Sequence, residues 1–373
     1  MINKDKMPVI MGVAFVWFTT QFGGGFASGN QLRQYFVQFG VWAFATAFMA
    51  QCIGAFYQWY ALRYAKKHEV YDYRSFNNSF YGKYAPIFSN LYELVYLVTI
   101  GVAPAAAFAT GVSTMEDAFG INYWIGTVFV GVFIFVVAVY GTNVVRKVAS
   151  TLSILIVAGL FLVYIPNIFA QWGSISANIS ASAANPAPAG KAIWTGIVYA
   201  AFQLASIGLL VQHAKPFAEP DDAKKSMLWG LGVNSVICLM AVLGLMAITD
   251  DPDFAQASIP LLILVNKGVA PELLRPIISI LIVLGSVSTA VNMIAGMSNR
   301  VCTSIDKNFD PTAKPGKNVI IVTFVCTLAA FLIAQLGLNQ IVSIGYKYLG
   351  YLTIPVIMIP YVVHMAITKF DTK

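Results

Sequence analysis

Residues 23–30, Gly-Gly-Gly-Phe-Ala-Ser-Gly-Asn, lie inside a long apolar segment and are the strongest candidate for chemistry in this sequence. Each glycine in a helix interior costs about 1 kcal/mol relative to alanine, so three adjacent glycines predict unwound backbone. Unwound carbonyls can bind a cation, and the amides that open the next helical turn can bind a carboxylate. The alternative is close packing of helices, which glycine also permits in membranes.

Two further segments offer polar groups within apolar stretches. Residues 205–208, Ala-Ser-Ile-Gly, are a weaker candidate for a helix break, and residues 285–289, Gly-Ser-Val-Ser-Thr, bring hydroxyls into a third stretch. Hydroxyl and carbonyl oxygens are suitable ligands for hard cations. The hydroxyls can instead bond back to their own helix, and an isolated amide such as Asn234 can simply join neighbouring helices.

Three charged residues lie within or close to the apolar stretches, where ionisable side chains are functional candidates. Arg33 can gate a path or attract an anion, Glu93 can carry a proton or a cation, and Lys347 can mimic a bound cation or neutralise an anion. Snorkelling of a long side chain to the membrane interface is the alternative.

The composition places these residues in a membrane. Of 373 residues, 58% are hydrophobic and only 10% are charged, whereas a soluble domain carries roughly a quarter charged residues. The first apolar run starts at Met7 and is longer than a signal peptide, so no cleavable leader is expected. Segments of about 20 apolar residues predict ten spans, namely 8–37, 40–63, 86–114, 122–141, 146–171, 191–214, 226–249, 272–301, 317–336 and 339–367, with a shorter re-entrant or surface helix at 259–268.

The basic residues orient these spans. Of the 23 Lys and Arg residues, all but Arg33, Lys191, Lys267, Arg275 and Lys347 fall in segments that are cytoplasmic if the N-terminus is inside. This positive-inside pattern predicts two cytoplasmic termini in a plasma or inner membrane. It also accounts for the net charge of +7 without a nucleic-acid partner.

The small, polar segment 172–190 divides the spans into two groups of five. Because five is odd, the second group must run opposite to the first, which is the plan of an inverted repeat. We therefore predict a first repeat at 1–171, an extracellular linker at 172–190 and a second repeat at 191–373. The fold class is an all-α polytopic membrane protein in which helices 1 and 6 are discontinuous.

This order of features resembles the amino acid–polyamine–organocation superfamily with its LeuT-type fold. Within it, residues 23–36 (GGGFASGNQLRQYF) resemble the glycine-rich first-helix signature of the YkvI-type membrane proteins. The resemblance implies a sodium site and a substrate site at the two breaks, with Arg33 at the outer gate. It also implies that Asn30 and Asn234, with Gln203, lie where some relatives bind a second sodium ion, although Gln203 replaces the usual small hydroxyl.

The residues that the resemblance assigns to each site are as follows. The sodium ligands would come from Gly23, Phe26, Gly285, Ser288 and Thr289, and the substrate would contact Gly23, Gly24, Gly25, Phe26, Ser28, Phe202, Ala205, Ser206 and Gly208. No acidic gate partner for Arg33 is evident in the last span.

The predicted function is sodium-coupled symport of a small amino acid or related zwitterion, as a monomer or homodimer in the lipid bilayer and without a cofactor other than the coupling ion. The alternative is a proton-coupled transporter of the same fold for an amino acid or other small solute, with Glu93 or Lys347 as the proton carrier. A channel lined by the small residues at 101–107 is a further alternative. We expect no enzyme activity, because the three histidines are scattered and form no metal-ligand motif.

Overall fold

The computed structural model describes residues 8–140, 142–306 and 315–371, and within these ranges every regular element is helical. The first half consists of α1 (Val9–Gln21), α2 (Gly24–Ala27), α3 (Asn30–Tyr35), α4 (Trp42–Lys67), α5 (Tyr73–Tyr81), α6 (Ala85–Phe119), α7 (Tyr123–Tyr140) and α8 (Thr142–Ala170). Predicted span one is therefore three short helices, whereas predicted spans two to five are continuous.

The second half starts after α9 (Trp172–Ala184), which occupies most of the predicted linker. It consists of α10 (Ala189–Leu204), α11 (Ile207–Leu210), α12 (Asp222–Leu245), α13 (Pro260–Asn266), α14 (Pro271–Ile305) and α15 (Lys317–Ala334). The last span, Leu338–Thr368, contains α16 (Leu338–Gln340), α17 (Lys347–Thr353) and α18 (Ile359–Thr368), joined by π-helical turns. Pro355 lies in the second of these turns, where its missing N–H prevents a regular α-helix.

Seven of the described helices are long and apolar enough to cross a membrane, or eight if the pair Ile154–Ala170 and Trp172–Ala184, bent by 78°, is taken as one span. Apolar α1 has 13 residues because the glycine run cuts it short. Helix α4 has 26 residues, enough for about 39 Å at 1.5 Å per residue. The protein is a multi-pass membrane protein, and span one reaches membrane length only as a broken helix.

Two groups of helices pack mainly within themselves, and α8 packs on a member of each, α14 and α12. One group, which we call the bundle, contains α1, α3, α4, α10 and α12; the other, which we call the scaffold, contains α6, α7, α14 and α15. Glycines allow close packing in the bundle: a Cβ on Gly230 would stand 2.5 Å from the Trp17 ring, and one on Gly54 would stand 3.1 Å from it. Trp17 thereby fixes α1 between α4 and α12.

Counterpart helices of the two predicted repeats pack on one another: α4 on α12, α6 on α14 and α7 on α15. This pairing is what a two-fold relation between the halves would produce. The repeat boundaries themselves remain predictions.

Segments predicted to lie on one side of the membrane come together. On the α5 side, Lys66 donates to the carbonyl of Lys215 at 3.2 Å, and the Lys67 ammonium lies 3.2 Å from the Asp371 carboxylate. On the opposite side, which we call the α13 side, Asn178 of α9 donates to the carbonyl of Met246 at 2.9 Å. Lys4, Lys6, Lys307, Lys314 and Lys373, which also support the predicted orientation, lie outside the described residues.

Candidate functional site

The first helix breaks twice. Helix α1 ends at Phe22, whose ψ of 57° is not helical, and α2 is only four residues long. The second interruption is at Gly29, whose φ of +83° lies in the left-handed region. Only glycine adopts this conformation at little cost, so Gly29 is required by the turn that opens α3.

Local bonds hold the backbone between these interruptions. The Gly23 carbonyl accepts from the amides of Phe26 (3.0 Å) and Ala27 (3.1 Å), and the Phe26 carbonyl accepts from Gly29 (2.9 Å). The Ser28 hydroxyl donates to the Gly25 carbonyl at 2.9 Å. The Phe26 amide is thus engaged within the turn. The best donors for a carboxylate are the amides at the start of α2, because a first helical turn leaves its N–H groups without intrahelical acceptors.

The scaffold helix α14 runs beside this break. A Cβ on Gly23 would lie 4.0 Å from the Thr289 methyl group, and α2 also packs on α6. The Thr289 hydroxyl donates to the Gly285 carbonyl at 2.9 Å, which leaves the hydroxyl oxygen lone pairs able to bind a cation. Gly23 therefore lies near the Thr289 methyl group, whereas a Cβ on Gly285 would stand 2.5 Å from the Ile156 side chain of α8. Ser288 is half-buried on the same helix as Thr289, and the sodium site remains a prediction.

Ser286 of the same helix belongs to the hydroxyl motif at 285–289 but was assigned to no site from the sequence. Its hydroxyl is fully buried and has no hydrogen-bond partner among the described residues. Its Cβ lies 3.7 Å from the Cβ position of Gly111 on α6. It therefore faces the α6–α14 contact rather than Gly23.

The second break, between α10 and α11, is narrower and is bridged by Tyr92 of α6. The Tyr92 hydroxyl accepts from the Gly208 amide at 2.9 Å and donates to the Ala205 carbonyl at 3.4 Å. Ser206 bonds within the turn, because its hydroxyl donates to the Gln203 carbonyl at 2.7 Å. The backbone groups that a solute would have bound at this break are largely satisfied by one tyrosine.

Two other residues expected to line the pocket lie in packed surroundings. A Cβ on Gly208 would stand 2.5 Å from the Tyr73 ring of α5, so Gly208 serves close packing. The Phe202 ring packs against Tyr35 (5.4 Å between centroids), Tyr199 (5.0 Å) and Tyr346 (4.7 Å). This aromatic cluster joins α3, α10 and the last span beside the second break.

Arg33 and Asn30 belong to a network that closes the first break on the α13 side. Arg33 is buried and donates to the carbonyl of Ala255 and to the Asn339 side chain at 2.6 Å. The Asn30 amide donates to Asn339 at 2.7 Å and to the Ser258 carbonyl at 2.9 Å. The side-chain partner of Arg33 in this network is thus a neutral amide, Asn339, at the start of the last span.

Helix α13 completes this closure. The Leu261 amide donates to the Ser28 carbonyl at 3.1 Å, and a Cβ on Gly29 would stand 3.4 Å from the same Leu261 nitrogen. Beyond the closure, Arg33 lines a cavity of about 320 Å³ that also contacts α9. A solute on the α13 side can reach the first break only if α13 and the Arg33 network move.

Glu93 lies on the α5 side, far from this network in the chain. It forms an ion pair with Arg300 of α14 and accepts from the Tyr73 hydroxyl at 3.0 Å. The Arg300 guanidinium also lies over the Tyr96 ring at 4.4 Å. Glu93 therefore ties α5 and α14 to α6.

Lys347 lies outside the site. Its side chain is exposed on the face of the last span, with the ammonium 5.8 Å from the Tyr351 ring centroid. Span depth alone suggested a functional position, but the rotation of the helix places this side chain away from both breaks.

Asn234 takes part in a buried amide cluster that sequence reasoning missed. Its amide donates to the Gln21 oxygen at 2.9 Å, and the Gln21 amide donates to the Gln51 oxygen at 2.9 Å. The signal in the sequence was glutamine inside apolar spans at positions 21 and 51, which is costly without partners. The cluster joins α1, α4 and α12 at the residue that precedes the first break.

No protein-family profile and no curated protein matches the sequence. Among solved structures, the chain is similar to a Na⁺-coupled sialic acid symporter in a substrate-bound outward-open state, with a TM-score of 0.50, 14% identity, and coverage of 95% of this chain and 87% of that chain. The two proteins share a fold. The likeness extends over nearly the whole chain.

Proposed function

We propose that this protein is a secondary transporter that couples sodium entry to uptake of a small amino acid or related zwitterion by alternating access. The observation that carries the proposal is the contact of the first break with the scaffold, where Gly23 faces Thr289 of α14. The contact is with the Thr289 methyl group, and the same side chain carries a hydroxyl, so the proposal pairs the carbonyls of the break with this hydroxyl oxygen. Such neutral oxygens are the ligands that hard cations accept.

The same break offers groups for both solute and ion. The amides that open α2 can receive a carboxylate, and the carbonyls of Gly23 and Phe26, with Gly285, Ser288 and Thr289, can surround a sodium ion. A sodium ion and a carboxylate bound at the same break would stabilise one another, because their charges are opposite and close together. Binding of one therefore favours binding of the other, which is the basis of coupled transport.

Alternating access is supported by the division into bundle and scaffold. The first break is closed on the α13 side by the Arg33 network and by the Leu261–Ser28 bond, whereas the similar symporter is described in an outward-open state. We infer that the bundle moves relative to the scaffold and that release of Asn339 and α13 opens the α13 side, which is extracellular in the predicted orientation.

Proton coupling is the second candidate, and the Glu93 cluster favours it. Glu93 is half-exposed and paired with Arg300 on the scaffold. Protonation of the carboxylate would weaken this pair and its bond to Tyr73. A pH gradient alone would then drive uptake, and Glu93→Gln would abolish that response.

The test is uptake of radiolabelled amino acids by the purified protein in liposomes. We expect accumulation under an imposed sodium gradient, saturation with solute, and loss of at least about 10-fold in sodium affinity in Thr289→Val, because one cation ligand is removed. The matched control is Thr327→Val on α15, where a hydroxyl makes the same bond to the carbonyl four residues earlier, at 2.8 Å.

Three results would count against the proposal. Failure of every amino acid to accumulate under the sodium gradient would exclude sodium-coupled amino acid uptake. Equal effects of Thr289→Val and Thr327→Val would remove Thr289 from the sodium site. Flux that does not saturate with solute concentration would favour a channel.

A further inference from the structure

The buried amide cluster at the first break is a chain with two free ends. Gln21 is its centre: one atom of its amide bonds Gln51 and the other bonds Asn234, each at 2.9 Å. Gln51 and Asn234 are fully buried and Gln21 is 6% exposed. The outer atoms of the chain, Gln51 Nε2 and Asn234 Oδ1, have no hydrogen-bond partner among the described residues.

The chemistry of these ends does not depend on how the amides are oriented. If all three amides were turned over, Gln51 would present an oxygen and Asn234 a nitrogen. Either way, the cluster ends in one donor and one acceptor. A third group, the Tyr199 hydroxyl, is fully buried beside the side chains of Gln21 and Gln203, which are its hydrogen-bond partners. Buried polar groups are normally paired, so the two unpaired ends of the amide chain, one donor and one acceptor, indicate a partner that both donates and accepts.

The position of the cluster links it to transport. Gln21 is the last residue of α1, directly before the first break, and Gln203 lies two residues before Ala205 at the second break. Gln51 and Asn234 lie on α4 and α12, so every member belongs to the bundle. The sodium ligands proposed above face the scaffold, which leaves the bundle side of the break for another part of the solute.

We propose that Gln21, Gln51, Asn234 and Tyr199 form the subsite for a neutral hydrogen-bonding group of the solute, a hydroxyl or a carboxamide. The inference rests on the proposed function and names its substrate class: zwitterionic amino acids with an uncharged polar side chain. An acidic or basic side chain would bring an unpaired charge against four uncharged groups, which is costly in a buried site. An apolar side chain would leave both ends of the amide chain unpaired.

The first experiment measures thermal unfolding of the purified full-length protein in detergent with sodium. Serine, asparagine and glutamine are the probes, and alanine, aspartate and lysine are the comparison set. A ligand that binds only the folded protein raises the melting temperature, and the stabilisation grows with the logarithm of one plus the ratio of ligand concentration to Kd, so a concentration series gives the affinity. We expect serine, asparagine or glutamine to bind at least about 10-fold more tightly than all three comparison amino acids.

Variants then assign the effect to the cluster. Gln51→Glu keeps the shape of the side chain but removes a donor, and Asn234→Leu removes both polar atoms; each should weaken binding of the polar probe by about 10-fold or more. The matched control is Asn77→Leu in α5, a buried amide with both atoms unpartnered, which should leave probe affinity unchanged.

The outcomes separate the subsite from the transport function. The subsite would be overturned if alanine or lysine bound as tightly as the polar probes. It would also be overturned if the variants lowered the melting temperature without changing the affinity for the probe. Sodium-driven uptake of a different solute, with no binding of the polar probes, would overturn the subsite and keep the transporter. Binding of the probes without sodium-driven uptake would keep the subsite and overturn the coupling, and neither binding nor uptake would overturn both.

Discussion

At the first break the backbone is held by its own turn and by helix α13, whereas at the second break it is held by the hydroxyl of Tyr92. Around the first break, α2 packs on the scaffold helices α6 and α14, while α11 at the second break packs on α4 and α5. A Cβ on Gly23 has no atom closer than 4.0 Å, but a Cβ on Gly208 would overlap the Tyr73 ring at 2.5 Å.

This difference indicates that a break in a membrane helix is not by itself a binding site. Unwound backbone needs partners in the membrane, and those partners can be protein, as at Ala205 and Gly208. Where glycine faces open space beside hydroxyls, as at Gly23, the partner can be a ligand. The two breaks are therefore expected to respond to mutation in opposite ways.

The largest expected effect on stability is at Gly208. Gly208→Ala should lower the free energy of unfolding by about 1–3 kcal/mol, because the new methyl group overlaps Tyr73 and the site is already packed. Thermal unfolding in detergent measures this loss. Displacement of Tyr73 should also weaken its hydrogen bond to Glu93.

Gly23→Ala is the matched change at the first break. Its methyl group has room, so the melting temperature should change little, while sodium-dependent uptake should fall by about 10-fold or more because the methyl group approaches Thr289. The comparison of the two breaks would be wrong if Gly23→Ala destabilised the protein as much as Gly208→Ala, or if uptake survived it.

A smaller loss is expected from Tyr92→Phe. The ring is kept, but the Gly208 amide loses its partner inside the protein, and an unsatisfied buried donor costs about 1–3 kcal/mol. We expect the lower part of this range, since the bond to the Ala205 carbonyl is long at 3.4 Å. Thermal unfolding should show this loss of stability. Uptake is measured alongside, with Tyr81→Phe as the control, because that change also removes one buried hydroxyl, here bonded to the Val356 carbonyl at 2.9 Å. If Tyr92→Phe lowers uptake no more than Tyr81→Phe does, the second break has no special role in transport.

Much of the fold could be predicted from the sequence because lipid imposes a simple rule of length and apolarity. The continuous spans match predicted ones to within a few residues, and the glycines at 23–29 marked the broken helix. Helix α5 was missed because nine residues with polar and aromatic character give no membrane signal. Its start is set by Asp72, whose carboxylate accepts from the amides of Arg74 and Ser75, a local signal that was available.

The side-chain partners could not be predicted, because they join residues far apart in the chain. Arg33 and Asn339 are separated by 306 positions, and Gly208 and Tyr92 by 116. Lys347 shows the related difficulty that depth along a helix does not reveal which face a residue occupies. Apolar spans have weak periodicity, so only the packed structure shows which polar residues meet.

The smallest expected effect is at the loop that carries α13 over the first break. The Asp251 carboxylate lies 2.5 Å from the Lys267 ammonium. This ion pair, together with the hydrogen bond from the Asp253 amide, lowers the pKa of Asp251 below its ordinary value. The same ion pair raises the pKa of Lys267. A lowered carboxyl pKa stabilises the fold above about pH 4 and loses that contribution as pH falls through the folded pKa. Asp251→Asn should therefore lower the melting temperature by only about 1–2 °C, equally at pH 5 and pH 8, with the deficit shrinking below pH 4. A deficit that changes between pH 5 and pH 8 would show that another titratable group is coupled to this ion pair, and the simple two-residue account would be wrong.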